Sequence, residues 1–331
     1  MREPAFWWQP GTGGLLTPFA ALYGAVAGLR MRSPGRKAGV PVICLGNLTI
    51  GGAGKTPAAL AVAQLLHAAH ERPFFLSRGY GGRLAGPVRV NPAIHHAADV
   101  GDEPLLLTRL APTIVARDRV AGAKLAQFAG ASVIVMDDGF QNSSLAKTLV
   151  ILLVDGRRGI GNGHIVPAGP LRAPLGMQLE RAQAIIVVGP QDGATAVLDR
   201  ARRRGTPILH GRFEPDRNVI AAIGTRRVLA FAGIGDPEKF FATLTGAGIE
   251  VAERAGFPDH HRYTAVQAQD LMARAQAGNL MLVTTEKDLA RLAGEPQLAA
   301  LTARSSTLPV RFAIEEEDAF RELILQSIKR R

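Results

Sequence analysis

With a single cysteine among its 331 residues, the chain can form no internal disulfide, and a reducing compartment is expected. That residue, Cys44, lies in the apolar run Val42-Ile43-Cys44-Leu45, where it reads as a small buried hydrophobe. Aromatic residues make up only 5% of the chain, and no zinc-finger or RNA-binding signature is present. Nucleic acid is therefore the weakest of the partners that a net charge of +11 invites. An anionic membrane surface or a phosphorylated substrate remains. The apolar core of the N-terminal stretch 11–29 falls short of the roughly 20 residues a spanning helix needs, and nothing later resembles a span. Disorder is excluded by 47% hydrophobic and 20% charged residues, and the length allows two domains.

The uncharged stretch 11–29 is followed by Arg30, Arg32, Arg36 and Lys37, and preceded by Trp7 and Trp8. A secretory signal has its charges in front, so this order argues against one. An interfacial helix with a basic flank on an anionic leaflet fits, with the tryptophans at the boundary. A helix packed on the globular body is the alternative.

From residue 40 the pattern alternates β and α. Apolar strands are expected at 40–45, 74–77, 113–116, 132–136, 149–154 and 184–188, with helices at 58–70 and 120–129. Continuous apolar strands between helices predict a parallel sheet covered on both faces. A smaller region repeats the theme, with strands at 228–232 and 280–284 and helices at 237–246 and 264–276. The extended pieces 210–219 and 310–313 are expected to pair as a connection between the two regions. A terminal helix follows at 318–329, with Asp318 as its cap. The expected organisation is an N-terminal membrane-interfacial segment 1–38, a phosphate-loop domain 39–210, a linker 211–222, a smaller α/β domain 223–308, and a return strand and helix 309–331.

The first strand leads through Gly46-Asn47-Leu48-Thr49-Ile50 into Gly51-Gly52-Ala53-Gly54-Lys55-Thr56 and a helix. Glycines let backbone amides turn onto a phosphate, and the helix N-terminus adds its dipole. Lys55 is placed to reach the β- and γ-phosphates, and the Thr56 hydroxyl to sit on Mg²⁺. The match is a variant, because Thr49 holds the position of the usual first glycine. The run Val133-Ile134-Val135-Met136-Asp137-Asp138 supplies the acidic strand end that such a loop needs for its metal; a turn or helix cap is the other use of two aspartates. Together they indicate an NTP enzyme without separating kinase, ATPase or GTPase. Thr285-Glu286-Lys287-Asp288 only approaches a guanine signature. Asp102-Glu103-Pro104 presents two carboxylates on one turn, suited to a base and a metal ligand, or to capping a helix. Phe257-Pro258-Asp259-His260-His261 offers a His–Asp combination or ordinary loop histidines. Ser77-Arg78-Gly79-Tyr80-Gly81-Gly82-Arg83 and Pro167-Ala168-Gly169-Pro170-Leu171-Arg172 are arginine-bearing glycine loops suited to phosphate, or solvated turns.

Read together, Gly46-Asn47-Leu48-Thr49 with the phosphate loop, Ser77-Arg78-Gly79-Tyr80-Gly81-Gly82, Val100-Gly101-Asp102-Glu103-Pro104, Asp137-Asp138-Gly139-Phe140-Gln141, Gly161-Asn162-Gly163, Pro167-Ala168-Gly169-Pro170-Leu171-Arg172 and Phe257-Pro258-Asp259-His260 resemble the tetraacyldisaccharide 4′-kinase family of lipid A biosynthesis. The resemblance covers most of the chain, from Leu16-Thr17-Pro18 to Thr285-Glu286-Lys287-Asp288. It implies transfer of the ATP γ-phosphate to the 4′-hydroxyl of an acylated glucosamine disaccharide 1-phosphate, giving lipid IV-A. It also implies peripheral attachment at the cytoplasmic face of the bacterial inner membrane, with no protein partner. By the same resemblance, Asp102 is the catalytic base, His260 its helper and Lys55 the phosphate lysine. Thr49, Ile50, Gly51, Gly52, Ala53, Gly54, Lys55 and Thr56 bind ATP. Thr56, Glu103, Asp137 and Asp138 hold Mg²⁺, with Asp138 alternatively orienting a metal-bound water, and Arg78, Tyr80 and Arg172 contact the substrate. The chain departs from the family at Asn142, Lys147-Thr148 and Ala173, where histidine, an Arg-Asp pair and glutamate are usual. Glu103 is a candidate replacement for that glutamate. A phosphate-loop ATPase or small-molecule ligase of the deviant-loop class is the rival reading. The expected fold class is α/β: a parallel-sheet phosphate-loop domain, a smaller α/β domain and an N-terminal membrane-associated helix.

Overall fold

The computed structural model describes residues 3–329; residues 1, 2, 330 and 331, the outer ends of the first and last expected segments, lie outside the described residues. In chain order the strands are β1 (Val42–Asn47), β2 (Pro73–Ser77), β3 (Val88–Arg89), β4 (Thr113–Val115), β5 (Val133–Asp137), β6 (Leu149–Asp155), β7 (Ala184–Val188), β8 (Ile208–Pro215), β9 (Val228–Ala232), β10 (Val251–Gly256), β11 (Met281–Thr284), β12 (Ser305–Thr307) and β13 (Val310–Ile314). They form a nine-stranded sheet, ordered β13-β8-β7-β6-β1-β5-β2-β4-β3, and a four-stranded sheet, ordered β10-β9-β11-β12. The large sheet is parallel except at its two edges, where β3 and β13 run antiparallel to β4 and β8. All pairs of the small sheet are parallel.

The apolar runs make buried strands because both faces of the large sheet are covered. Along β1, Val42 and Cys44 enter one apolar cluster while Ile43 and Leu45 enter the other, the period of two that a pleated strand imposes. Cys44 is fully buried, as expected. Because β1 lies between β5 and β6, the loop leaving it opens over the centre of the sheet, beside the carboxyl end of β5. The helix that follows, α2 (Lys55–Ala68), starts three residues earlier than its apolar pattern suggests, because the phosphate loop runs straight into it.

The expected pairing of the two extended pieces is present, with Phe213 opposite Phe312. It forms the outer edge of the large sheet, and β8 is hydrogen-bonded to β7 as well. Asp318 is not the cap of the last helix: that helix begins at Glu317, and Asp318 lies within its first turn.

At the N-terminus, α1 is Thr17–Met31. Ala20, Gly24, Gly28 and Met31 are buried along one stripe. At Gly24 and Gly28 a side chain would run into Ile165 and Met177, so glycine permits the close approach. The opposite side carries Phe19, Leu22, Val26 and Leu29, all exposed. Against the expectation of too short a stretch, Gly14–Met31 is, among the described residues, the one helical stretch long and apolar enough, by length and composition, to cross a membrane. The boundary role expected for Trp7 is corrected. It is buried, and its indole N–H donates to the Pro167 carbonyl at 3.0 Å, because the preceding turn is folded onto the glycine loop around Asn162.

Candidate active site

Gly54, at φ +87°, turns the chain into α2, and the ring of Phe213 fills the place a side chain there would need. Asn47 donates to the Gly51 carbonyl at 2.8 Å, and the Ile50 amide to the Pro170 carbonyl at 2.8 Å, so residues 49–56 are braced from both sides. Lys55 and Thr56 are buried at the helix start. The Thr56 hydroxyl donates to Asp137 Oδ2 at 3.2 Å. Asp137 Oδ1 is buried with no partner among the described residues. Burial, with the charge of Glu103 adding to it and Lys55 opposing, pushes the Asp137 carboxyl up to about 7. Such a carboxylate, beside a threonine hydroxyl at a helix start, is suited to a divalent cation.

Asp138 has φ +51°, which swings it out of line with β5. Its Oδ1 accepts from Arg172 at 2.9 Å and lies 3.7 Å from Lys55 Nζ. Against the effect of burial, Lys55 and Arg172 hold it down to about 2. Arg172 also donates to the Thr49 carbonyl at 3.0 Å, linking the phosphate loop to the acidic pair. Ala173 carries no carboxylate, and Glu103 does not replace one toward Lys55. Glu103 is taken by Lys287 at 2.6 Å, and Lys55 faces Asp138.

Asp102 and Glu103 begin the helix Asp102–Leu107, which packs against the helix Glu286–Leu292 that follows the small sheet's β11. Arg291 donates from Nε to Asp102 Oδ2 at 2.9 Å, and both side chains are buried. The other oxygen, Oδ1, lies 3.4 Å from His260 Nδ1. Burial disfavours the charged carboxylate, yet His260, Arg291 and Lys287 together hold Asp102 well below the usual range. Burial also opposes the imidazolium, but the hydrogen bond and charge of Asp102 raise His260 above its ordinary value. Tyr80 stacks at a tilt on His260, with centroids 4.8 Å apart. Tyr80, Asp102, His260 and Arg291 line a cavity of 270 Å³ with Arg262 and Tyr263.

Sequence reasoning missed Lys287, Asp288 and Arg291. Asp288 is fully buried and accepts from the Gly233 amide, Tyr263 and Arg291, which fixes the guanidinium beneath Asp102. The Thr285-Glu286-Lys287-Asp288 segment was the available signal: Thr285 caps the helix, which aims Lys287 across the cleft. Nothing in the sequence singled out Arg291. Arg78 is exposed on the loop after β2. His261 is stacked on Phe257 and bonded to Gln267, a packing role.

Residues 13–329 match the family model described as Tetraacyldisaccharide-1-P 4′-kinase. A tetraacyldisaccharide 4′-kinase of Rhodopseudomonas palustris strain BisA53 is 54% identical over 329 residues, covering 99% of this chain and 96% of the relative. One from Nitrobacter winogradskyi is 50% identical over 330 residues, covering 99% and 98%. A crystal structure of LpxK from Aquifex aeolicus, described as in complex with ATP, superposes with a TM-score of 0.74 at 27% identity, covering 96% of this chain and 99% of that one.

Proposed function

The chain belongs to the tetraacyldisaccharide-1-P 4′-kinase family, which makes it a kinase of lipid A biosynthesis acting on a glycolipid, and we propose that Asp102 and the 49–56 loop carry the transfer. The observation that carries this reading is electrostatic and geometric at once: Thr56 holds Asp137, and the charges of Glu103 and Lys287, neighbours of Asp102 and Arg291, act on that same carboxyl. This supports reading the phosphate loop and the Asp102 cavity as one site, fed by both sheets.

The acceptor is the 4′-hydroxyl of an acylated glucosamine disaccharide 1-phosphate, the donor is ATP, and the product is lipid IV-A. The amides of Thr49, Ile50, Gly51, Gly52, Ala53 and Gly54 cradle the phosphates, and Lys55 neutralises charge on the γ-phosphoryl oxygens. Asp102 Oδ1 receives the hydroxyl proton. Held ionised by Arg291, it is a weak base, which suffices where the proton moves late in a loose transition state. His260 orients that oxygen and, when protonated, faces the transferring phosphoryl with a positive charge. Arg78, Tyr80 and Arg172 contact the substrate's phosphate or sugar. Magnesium suits the unpartnered Asp137 oxygen; Thr56, Asp137 and either Glu103 or Asp138 would hold it, and it would supply charge neutralisation to the β- and γ-phosphates. The exposed apolar face of α1, with Arg30 and Arg32 at its end, suits peripheral docking on the anionic cytoplasmic leaflet of the inner membrane.

The test is phosphate transfer from γ-labelled ATP with and without the disaccharide acceptor. Wild type should label the acceptor, while Asp102→Asn should lose about 10²–10⁴-fold in kcat with ATP binding nearly intact. Lys55→Met should lose both. An Asp102→Asn variant of full activity, or hydrolysis that ignores the acceptor, would remove this reading.

A further inference from the structure

The N-terminal strap enters the cleft. Glu3, largely buried, lies against Gly51 of the phosphate loop and fills the space a side chain on that glycine would take. Its other oxygen accepts from Arg158 at 3.2 Å. Arg158 sits in the turn after β6, the strand hydrogen-bonded to β1 on the side away from β5. That turn is braced by Asp155, whose Oδ1 accepts from the Arg157 and Arg158 amides at 3.0 and 3.1 Å. The Arg158 guanidinium rests 4.9 Å above the Trp8 ring and donates to Asp236 at 2.7 Å.

A carboxylate between a glycine of a phosphate loop and an arginine is an anion in a site built for anions. Its surroundings do not otherwise favour it. Burial raises the Glu3 carboxyl above its usual range, Arg158 and Trp8 oppose this, and Asp259 and Asp236 add to it. We propose that Arg158 is a phosphate-binding residue of the nucleotide site, and that the Glu3 carboxylate competes for it with a phosphate oxygen of the nucleoside triphosphate. A triphosphate entering the loop displaces Glu3 and takes over Arg158, whose planar fork then bridges phosphate oxygens. An arginine brought onto the transferring group from within the same chain stabilises its spreading charge. The proposal rests on reading residues 49–56 as the phosphate loop, and it goes beyond that reading by adding Arg158 from a different strand.

The experiment is titration of the full-length protein with ATP in Mg²⁺ buffer, together with kcat and KM for ATP. Arg158→Ala should weaken ATP at least tenfold and lower kcat, with Arg158→Lys between it and wild type. Glu3→Gln keeps the side chain's size and removes the competing charge, so ATP should bind at least threefold tighter. Opposite signs for the two variants are the signature. Were Arg158 only a clip for the strap, both changes would loosen the same contact and shift ATP binding in one direction or in neither. Either of those results overturns the proposal, as does unchanged ATP affinity in Arg158→Ala. Should Arg158→Ala fail to fold, absence of tightening in Glu3→Gln overturns it alone. Failure of the phosphate-loop reading itself is seen separately, as no loss of ATP binding in Lys55→Met.

Discussion

Asp137 has one oxygen bonded to Thr56 and one with no partner, and it is charged only at the expense of the fold. Its carboxyl is pushed up to about 7, above the ordinary aspartate value, so the folded state prefers it protonated. Stability therefore falls as pH rises from the usual carboxylate range to about 7 and stays reduced above it. Asp137→Asn removes the charge and keeps the shape. In metal-free buffer at pH 8 it should melt higher than wild type, at about 2–4 °C for each kcal/mol regained, with a smaller gain at pH 5. The same variant should be inactive. A lower melting temperature at pH 8 would mean that the charge is well solvated, and the metal reading would lose its physical basis. The acidic strand end was legible in the sequence, since two aspartates closing an apolar strand, when paired with a phosphate loop, favour a metal over a turn or cap. The division of labour between them was not, because it depends on the turn at Asp138 that hands its carboxylate to Lys55 and Arg172.

At the scale of an element, α1 is held by its small residues and presents its large ones. Its buried stripe of Ala20, Gly24 and Gly28 lets the backbone approach Ile165 and Met177, while Leu22 and Leu29 are each 70% exposed. Large apolar side chains left in water on one helix face mark an interaction site. Leu22→Glu with Leu29→Glu should leave the melting temperature unchanged within about 1 °C, since substitutions at exposed positions typically stay within ±0.5 kcal/mol. The double change should reduce cosedimentation with vesicles containing anionic lipid several-fold, and unchanged cosedimentation would count against membrane docking by this face. The apolar content of 11–29 was readable from the sequence; which residues face outward was not, because α1 has no sharp amphipathic pattern and its orientation follows from where glycine allows contact.

Over the whole molecule, the two sheets meet across the active-site cleft through charge. Lys287 to Glu103 at 2.6 Å, Arg109 to Glu286 at 2.5 Å and Arg291 to Asp102 lie on one side; Lys239 to Asp155 at 3.3 Å and Arg157 to Asp236 at 2.8 Å lie on the other. The buried member of this set is the Arg291–Asp102 pair. Removing one partner of a buried pair strands the other charge and costs about 3–5 kcal/mol. Arg291→Met should therefore destabilise the protein by roughly that amount, and adding Asp102→Asn should restore a part of it, as urea unfolding would register. Equal losses in the single and double variants would mean that the pair contributes nothing to joining the sheets. Activity should be lost in the double variant, because Asp102 is the proposed base.

The sequence by itself determined the buried strands, the phosphate loop and the acidic end of β5, since period, glycine content and the rarity of charge after an apolar run are local properties. It also determined the family, through motifs that keep their order along the chain. What only the tertiary structure decided is which distant residues complete each charge. Lys287 and Arg291 come from the helix between β11 and β12 to Glu103 and Asp102, and Arg158 comes from the turn after β6 to Glu3 beside Gly51. A buried carboxylate needs a partner, but spacing along the chain does not say which cation the fold will bring to it, because ion pairing depends on distance in space.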